Sequence, residues 1–386
     1  MNFLGGGGKE NIEYKQIYRR LHDKYDGKPE SSISTADREE YAYYTRAKDE
    51  YEKEYNENQS TLNQYKQIHQ QIEISHNAVS DHFGKEDYSK KELSAMQANT
   101  DELKQYKGIL LQVMNNITED IPAALIELGE GIEHFTGRLD SHFNLDLDGR
   151  GIVGDNPYDI MDVDYGNNKV SGPSPKDVKH GTHVAGTIAA VRDNNIGIKG
   201  IANNVEIMAV RAVPDGDEYD KDIALGIRYA VDNGASIINT SFGKYFSQDP
   251  EWVIDAIKYA AENDVLIVNA AGNDAHNLDK KRVYPNDQHP DSVKEISDTF
   301  LTVGALDYEY GSNLVASFSN YGKTNVDVFA PGTEIWSTTP NNEYEFQQGT
   351  SMAAPAVSGI AAVIRSFYPD LTAAQVKQII MDSGLR

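Results

Sequence analysis

The sequence of 386 residues contains no cysteine, which excludes disulfide bridges, a cysteine nucleophile and thiolate metal ligands. It also lacks any apolar run of about eighteen residues, so we predict no membrane-spanning helix. Basic residues are comparatively few, with 36 Lys and Arg against 60 Asp and Glu and a formal net charge of -24. This negative charge repels phosphate groups, and we therefore expect no nucleic acid partner.

The first third of the chain differs from the rest in composition and in the spacing of its apolar residues. Residues 9–145 are rich in Glu, Lys, Gln, Asn and Tyr, and their apolar residues recur every three to four positions, which is typical of amphipathic helices. Ser89 with Glu92 forms a capping-box pattern, and Pro122 suits a first helical turn. We predict an antiparallel helical hairpin or small bundle with a tyrosine stripe packed in its core.

From residue 151 onward, short β-branched runs alternate with helical patterns, which is typical of a parallel sheet with crossover helices. In this α/β architecture, binding groups collect at the carboxyl ends of the strands. The predicted buried strands are 205–213, 237–239, 265–270, 301–305 and 326–329, and the predicted helices include 220–231, 252–261 and 373–381.

Three short motifs carry residues suited to catalysis. Ser351, in Gly-Thr-Ser-Met-Ala-Ala-Pro, opens a helix whose free N–H groups and dipole favour negative charge beside it. His180, in His-Gly-Thr-His, opens a second helix, and Asn273 follows a predicted buried strand, where its amide can donate to an oxyanion. Taken singly, Ser351 is better interpreted as a helix N-cap, His180 as a satisfied polar residue and Asn273 as a turn residue. We interpret the neighbouring His183 as a satisfied polar residue.

Together and in this order, the three motifs resemble those of the subtilisin-like serine peptidases, the subtilase (S8) family, over residues 146–386. The resemblance implies that His180 is the general base and Ser351 the nucleophile. It also implies that Asn273 holds the oxyanion together with the backbone N–H of Ser351.

The resemblance further implies a substrate-binding strand at Ser241, Phe242 and Gly243, to which an extended peptide adds as an extra strand. A plain strand end accounts for the same residues. The implied fold class is α/β, a subtilisin-like parallel sheet with crossover helices that is interrupted by a mainly helical insertion.

The family's acidic residue is not identifiable in this sequence. It closes the first buried strand in an Asp-Ser/Thr-Gly turn, and no such motif precedes His180. Asp155 is a poor substitute because only two apolar residues precede it nearby. Residues 2–5 resemble the part of the family's core that leads into an insertion, so we expect the aspartate and any signal peptide to lie upstream of Met1. We also expect that the C-terminus of this sequence stops early for the family.

The predicted organisation is therefore a remnant of the catalytic core at 1–8, a helical insertion at 9–145 and a peptidase domain at 146–386. Asn144 to Gly149 has the alternating oxygen ligands of a calcium loop, with Asp155 at its twelfth position. An ordinary Asp-rich turn accounts for the same residues. The chemistry itself requires no cofactor, so any calcium would be structural.

The predicted function is that of a serine endopeptidase that acts on polypeptides through an acyl-enzyme intermediate. The resemblance implies an extracytoplasmic location, and the helical insertion is a candidate site for a protein partner or for control of substrate access. The alternative is a catalytically inactive, subtilase-like binding module, which the missing aspartate favours.

Overall fold

The computed structural model describes residues 1–5, 12–288, 295–311 and 313–385. Its contacts group into two compact units, one made of Met1–Glu13 with Asp148–Arg386 and the other of Tyr14–Leu147. The boundaries predicted from the sequence lie after residues 8 and 145. In the described residues, no helix combines the length and apolarity needed to cross a membrane.

The unit Tyr14–Leu147 is built from helices that pack along one long member. These are α1 (Glu13–Tyr25), α2 (Arg38–Phe83), α3 (Lys90–Ala95), α4 (Asp101–Asn116) and α5 (Ile121–Asp140). Helix α2 packs against α4 and α5. The predicted capping box of Ser89 and Glu92 is confirmed, because each residue's side chain accepts the other's backbone N–H.

The tyrosine stripe lies in the core of this unit, as predicted. The Tyr18 ring lies 5.8 Å from the ring of Tyr44 and 5.2 Å from the ring of Tyr51, and the Tyr25 ring lies 5.6 Å from that of Tyr44. Tyr18, Tyr25 and Tyr44 are buried. Their role is packing, since aromatic rings at these separations stabilise one another in a core.

The second unit alternates helices and strands. Its helices are α6 (Gly149–Val153), α7 (Lys179–Ala189), α8 (Asp220–Asp232), α9 (Pro250–Glu262), α10 (Thr350–Phe367) and α11 (Ala373–Ser383). Its strands are β1 (Ile237–Thr240), β2 (Leu266–Ala270), β3 (Phe300–Leu306), β4 (Val328–Pro331), β5 (Ile335–Thr339) and β6 (Glu343–Gln347).

Strands β1 to β4 form a parallel sheet in that spatial order, while β5 and β6 form a separate antiparallel hairpin. Successive residues of β2 face opposite sides: Leu266 and Val268 join the core beneath α10 and α11, and Ile267 joins the core beneath α8 and α9. A strand buried on both faces is mainly apolar, as these three residues are. The predicted α/β class is confirmed.

The predicted strand 205–213 is wrong. Within it, Arg211 forms an isolated parallel bridge with Asn2, and the backbone bonds that join the two segments involve Met1, Phe3 and Ala209. Ile207 is 48% exposed, so the apolar run does not lie within the sheet. The run reads as a buried strand because β-branched composition reports burial, whereas a strand also requires neighbours that continue the ladder.

Candidate active site

Ser351 lies in the first turn of α10, directly beside the end of β1. Its hydroxyl donates to the backbone oxygen of Ser241 at 3.2 Å, and the Ser241 hydroxyl donates to the backbone oxygen of Ser351 at 2.9 Å. Ala353 and Ala354, the next small residues of α10, are fully buried against the sheet. The nucleophile predicted from the sequence and the predicted substrate strand therefore meet at the carboxyl end of the parallel sheet.

His180 lies in the first turn of α7, a helix that packs against α10. Two hydroxyls of β5 fasten the start of α7: Ser337 Oγ donates to the carbonyl oxygen of His183 at 2.8 Å, and Thr338 Oγ1 donates to that of Thr182 at 3.0 Å. Gly186 permits this contact, because a methyl group on it would lie 2.1 Å from Thr338 Oγ1. The support beneath His180 is thus dense and hydrogen-bonded.

His183 is a buried polar residue with hydrogen-bond partners, as the sequence predicts. It is fully buried, and its Nε2 donates to the carbonyl oxygens of Ile335 at 2.9 Å and Glu345 at 3.2 Å. Burial lowers the pKa of its imidazole. The ring therefore remains neutral and ties α7 to both strands of the hairpin.

His180 itself is exposed, and its imidazole forms no hydrogen bond or ion pair with any residue that the structure describes. Desolvation by surrounding groups and the neighbouring His183 both lower the pKa of the His180 imidazole. A lowered pKa keeps the ring neutral near pH 7, which is the state in which it can accept a proton. In this structure the ring does not bond to Ser351, whose hydroxyl points to Ser241.

Asn273 follows β2 and is oriented by the start of α10. Its Oδ1 accepts from the backbone N–H of Thr350 at 2.8 Å and from the Thr350 hydroxyl at 3.0 Å. The same hydroxyl accepts from the backbone N–H of Gly272 at 3.0 Å. With Oδ1 held in this way, Nδ2 is directed to the opposite side and is left as a donor.

Asn273 Nδ2 and the backbone N–H of Ser351 both lie close to Gly349. A methyl group built on Gly349 would lie 3.3 Å from Asn273 Nδ2, 3.6 Å from Asn273 Oδ1 and 3.7 Å from Ser351 N. Gly349 has φ of 141°, a conformation that L side chains rarely adopt, so the space beside it stays open. Two N–H donors that converge on an empty position next to a serine hydroxyl can bind the oxygen of a tetrahedral adduct.

The predicted substrate strand Ser241, Phe242 and Gly243 continues β1 past the sheet. Phe242 is half-buried against the core beneath α8 and α9, and Gly243 is exposed. Among the described residues, the backbone groups of Phe242 and Gly243 form no hydrogen bond. Unpaired backbone at a strand end is a template for an added strand.

Asp155 does not approach His180. Its carboxylate is buried and pairs with Arg150 Nε at 2.6 Å and with Lys221 Nζ at 2.6 Å, while Arg150 also pairs with Asp222 at 2.5 Å. Both carboxylate oxygens of Asp155 are therefore paired with cationic side chains, those of Arg150 and Lys221. Within the ranges described, no carboxylate pairs with His180, and the third member of a triad is not identified.

The predicted calcium loop is hydrogen-bonded internally. Asn144 Oδ1 accepts from the backbone N–H of Asp146 at 2.9 Å, and Asp148 Oδ1 accepts from that of Gly151 at 3.0 Å and caps α6. No group of three or more His, Asp or Glu residues that could hold a metal is found in the part of the chain that the structure describes. Calcium binding by this loop stays a prediction.

The sequence did not single out Thr350, Tyr245 or Asn320, all of which contact the loop that carries Asn273. Thr350 lies inside a recognised motif, so its role was within reach of sequence reasoning. Asn320 lies 47 positions after Asn273 in the chain, and Tyr245 lies 28 positions before it. No periodicity or spacing in the sequence indicates that they converge.

Comparisons with known proteins agree on one family. A sequence model described as the subtilase family matches residues 70–384. A thermophilic serine proteinase of Bacillus sp. (strain AK1) is 41% identical over 223 residues, which cover 57% of this chain and 48% of that protein. Subtilisin DY of Bacillus licheniformis is 38% identical over 200 residues, which cover 51% of this chain and 67% of the relative.

Among solved structures, one titled "S41 Psychrophilic Protease" aligns with a TM-score of 0.49 and 28% identity, covering 57% of this chain and 73% of that one. The chain combines a parallel α/β sheet with serine, histidine and asparagine on the elements around the carboxyl edge of that sheet. This combination is typical of the subtilisin-like serine peptidases. The chain belongs to the subtilase family. It spans about half the length of the thermophilic relative.

Proposed function

We propose that this protein is a serine endopeptidase that cleaves polypeptides through an acyl-enzyme intermediate. The observation that carries the proposal is that Asn273 Nδ2 and Ser351 N both lie within 4 Å of one point beside Gly349. A helix cap needs no second donor from a distant loop. An oxyanion site needs at least one such donor beside the nucleophile.

In the proposed mechanism, neutral His180 takes the proton of the Ser351 hydroxyl as Oγ attacks the substrate carbonyl carbon. The carbonyl oxygen becomes an oxyanion and accepts hydrogen bonds from Asn273 Nδ2 and Ser351 N. His180 then returns the proton to the leaving amine, and water repeats the sequence on the acyl-enzyme. The Ser351 side chain must rotate away from its bond to the Ser241 carbonyl for this to occur.

The proposed substrate is an extended peptide that pairs with the backbone of Phe242 and Gly243. Their free backbone groups and the bond between Ser241 and Ser351 support this assignment, since a peptide added there would lead toward the nucleophile. We propose an extracytoplasmic location, in keeping with the family, and a role for the helical unit in substrate access or partner binding.

Among the described residues, no carboxylate pairs with His180 as the family's aspartate would. The carboxylate orients the imidazole and stabilises its protonated form. Its loss in serine peptidases costs about four orders of magnitude in rate. A protein with only His180, Ser351 and Asn273 would retain slow acyl transfer through the oxyanion site.

A test of the proposed function compares peptide hydrolysis by the wild type, Ser351→Ala and Ser366→Ala. Ser366 is an exposed serine near the end of the same helix, which makes it a matched control. We expect mass spectrometry of a peptide mixture to find internal cleavage by the wild type and Ser366→Ala, but not by Ser351→Ala. Equal cleavage by all three proteins would contradict the assignment of Ser351.

The alternative proposal is a binding module that holds peptides without cleaving them. It is favoured by one observation, the lack of any carboxylate paired with His180 among the described residues. This alternative predicts that Ser351→Ala binds a peptide as tightly as the wild type and that neither protein cleaves it. Calorimetric titration with the same peptides, followed by mass analysis of the recovered peptide, separates the two proposals.

A further inference from the structure

The loop that carries Asn273 is fastened along its length to a second segment, 318–321. Three backbone hydrogen bonds join them: Ala275 N–H to Phe318 O at 2.8 Å, Asn320 N–H to Gly272 O at 2.9 Å, and Tyr321 N–H to His276 O at 2.9 Å. These bonds fix the path of the loop on both sides of Asn273.

The side chain of Asn320 makes four further hydrogen bonds, all to this loop or to its neighbour Tyr245, although Asn320 lies 47 positions away. Its residue exposure is 0%, so water does not satisfy its amide. Nδ2 donates to Ala271 O at 2.8 Å and to Tyr245 OH at 3.3 Å, while Oδ1 accepts from Asp274 N at 3.2 Å and from His276 N at 2.8 Å. The amide thus holds backbone groups before and after Asn273.

The loop conformation depends on these bonds. Ala275 has φ of 52°, a left-handed conformation that is unfavourable for a residue other than glycine. Gly272 has φ of 98°, and a methyl group on it would lie 2.4 Å from Asn320 Nδ2. A strained loop conformation persists only where surrounding groups hold it in place, and here the buried Asn320 amide holds it through hydrogen bonds.

Tyr245 connects this arrangement to the substrate strand. It lies two positions beyond Gly243, and its hydroxyl donates to Asp274 while it accepts from Asn320 Nδ2. Its ring packs edge-on against His276 at 5.3 Å. The strand end and the loop with Asn273 are therefore joined through one buried amide and one phenol.

We propose that Asn320 is a positioning residue for the oxyanion donor, acting on the reaction through Asn273. This rests on the proposed function for its kinetic consequence, because the benefit of a fixed amide is realised only when an oxyanion forms. Removing the Asn320 amide frees the backbone of residues 271, 274 and 276, so the Asn273 amide samples positions from which it cannot donate.

The kinetic test is a double-mutant cycle of Asn320→Ala and Asn273→Ala on peptide hydrolysis. We expect Asn320→Ala to lower kcat about 10- to 100-fold with little change in KM, a part of the 10²- to 10³-fold loss known for removing an oxyanion donor in serine peptidases. In the Asn273→Ala background, the same substitution is expected to lower kcat less than about twofold. An equal loss in both backgrounds would overturn the proposal and leave Asn320 a merely structural residue.

A spectroscopic test does not depend on activity. The side-chain amide resonances of Asn273, assigned by their absence in Asn273→Ala, should shift or broaden in Asn320→Ala. They should be unchanged in Asn325→Ala, the matched control, whose Nδ2 donates to Leu278 O at 3.2 Å and to Asp279 Oδ1 at 3.0 Å, farther along the same segment. Unchanged Asn273 resonances in Asn320→Ala would contradict the proposal, and an inactive wild type would count against the proposed function alone.

Two milder variants keep the test decisive if Asn320→Ala does not fold. Asn320→Asp retains an acceptor for the N–H groups of Asp274 and His276 but loses the donor to Ala271 O. Tyr245→Phe removes only the hydroxyl. We expect both to show Asn273 resonance changes and kcat losses between those of the wild type and Asn273→Ala, and the absence of both effects in both variants would refute the role of Asn320.

Discussion

Substitution of Gly186 by alanine tests the contact that supports His180. A methyl group on Gly186 would lie 2.1 Å from Thr338 Oγ1 and 2.6 Å from Ser337 Oγ. Both hydroxyls donate to carbonyl oxygens of α7, so neither can move without losing a hydrogen bond. The substitution must therefore separate α7 from β5.

The expected magnitude follows from three contributions. Alanine in place of glycine favours a helix by about 1 kcal/mol. Overpacking costs about 1–3 kcal/mol, and the two displaced hydroxyl bonds cost about 1 kcal/mol each. We expect a net loss of roughly 2–4 kcal/mol in the free energy of unfolding of the α/β unit.

The matched control is Gly181→Ala in the same helix, where a methyl group would find no atom within 4 Å. This control should be neutral or more stable by up to about 1 kcal/mol. Urea unfolding followed by circular dichroism measures both variants. Equal stability of Gly186→Ala and Gly181→Ala would refute the argument that close packing of α7 on β5 supports the histidine.

Three further outcomes follow from the structure. Asn273→Ala should lower kcat about 10²- to 10³-fold with little effect on KM in steady-state peptide hydrolysis, and a change confined to KM would contradict the oxyanion role. Arg150→Met should lower the free energy of unfolding by about 3–5 kcal/mol in urea titrations, because it leaves the buried carboxylates of Asp155 and Asp222 short of a cation; a loss below about 1 kcal/mol would show that the cluster is dispensable. Burial raises the pKa of Glu218 from 4.5 to about 7, so the stability that its neutral form contributes is fully present below pH 4.5 and is lost as the pH rises through 7. In urea titrations, the free energy of unfolding of Glu218→Gln should match that of the wild type at pH 4 and exceed it at pH 8 by up to about 3 kcal/mol, and a pH-independent difference would contradict the shift.

Much of the fold could be predicted because its determinants are local. The strands β2 and β3 are short, mainly apolar runs buried on both faces, and α8 and α9 have the spacing of amphipathic helices. The wrong strand, 205–213, has the same composition. Its bonds to residues 1–3 form only an isolated bridge, and composition does not report whether a run has neighbours that continue a ladder.

Some residues of the candidate site could likewise be predicted from the sequence, and others could not. His180, Ser351 and Asn273 were predictable since each lies in a compact motif at the start of a helix or the end of a strand. Asn320 was not, because its importance comes from four hydrogen bonds to residues 44 to 75 positions away. The position of Asp155 in the sequence is compatible with a triad member or a calcium ligand, and only the folded chain shows that Arg150 and Lys221 bind its carboxylate.

The most direct measurement of the central claim is covalent labelling of Ser351 by a fluorophosphonate, located by peptide mass mapping. The label forms only when a serine hydroxyl is activated and the developing negative charge on phosphorus oxygen is stabilised. We predict one adduct, on Ser351, that is absent in Ser351→Ala and forms much more slowly in His180→Ala. No adduct on Ser351 in the folded wild type, or one that forms equally fast without His180, would contradict the account.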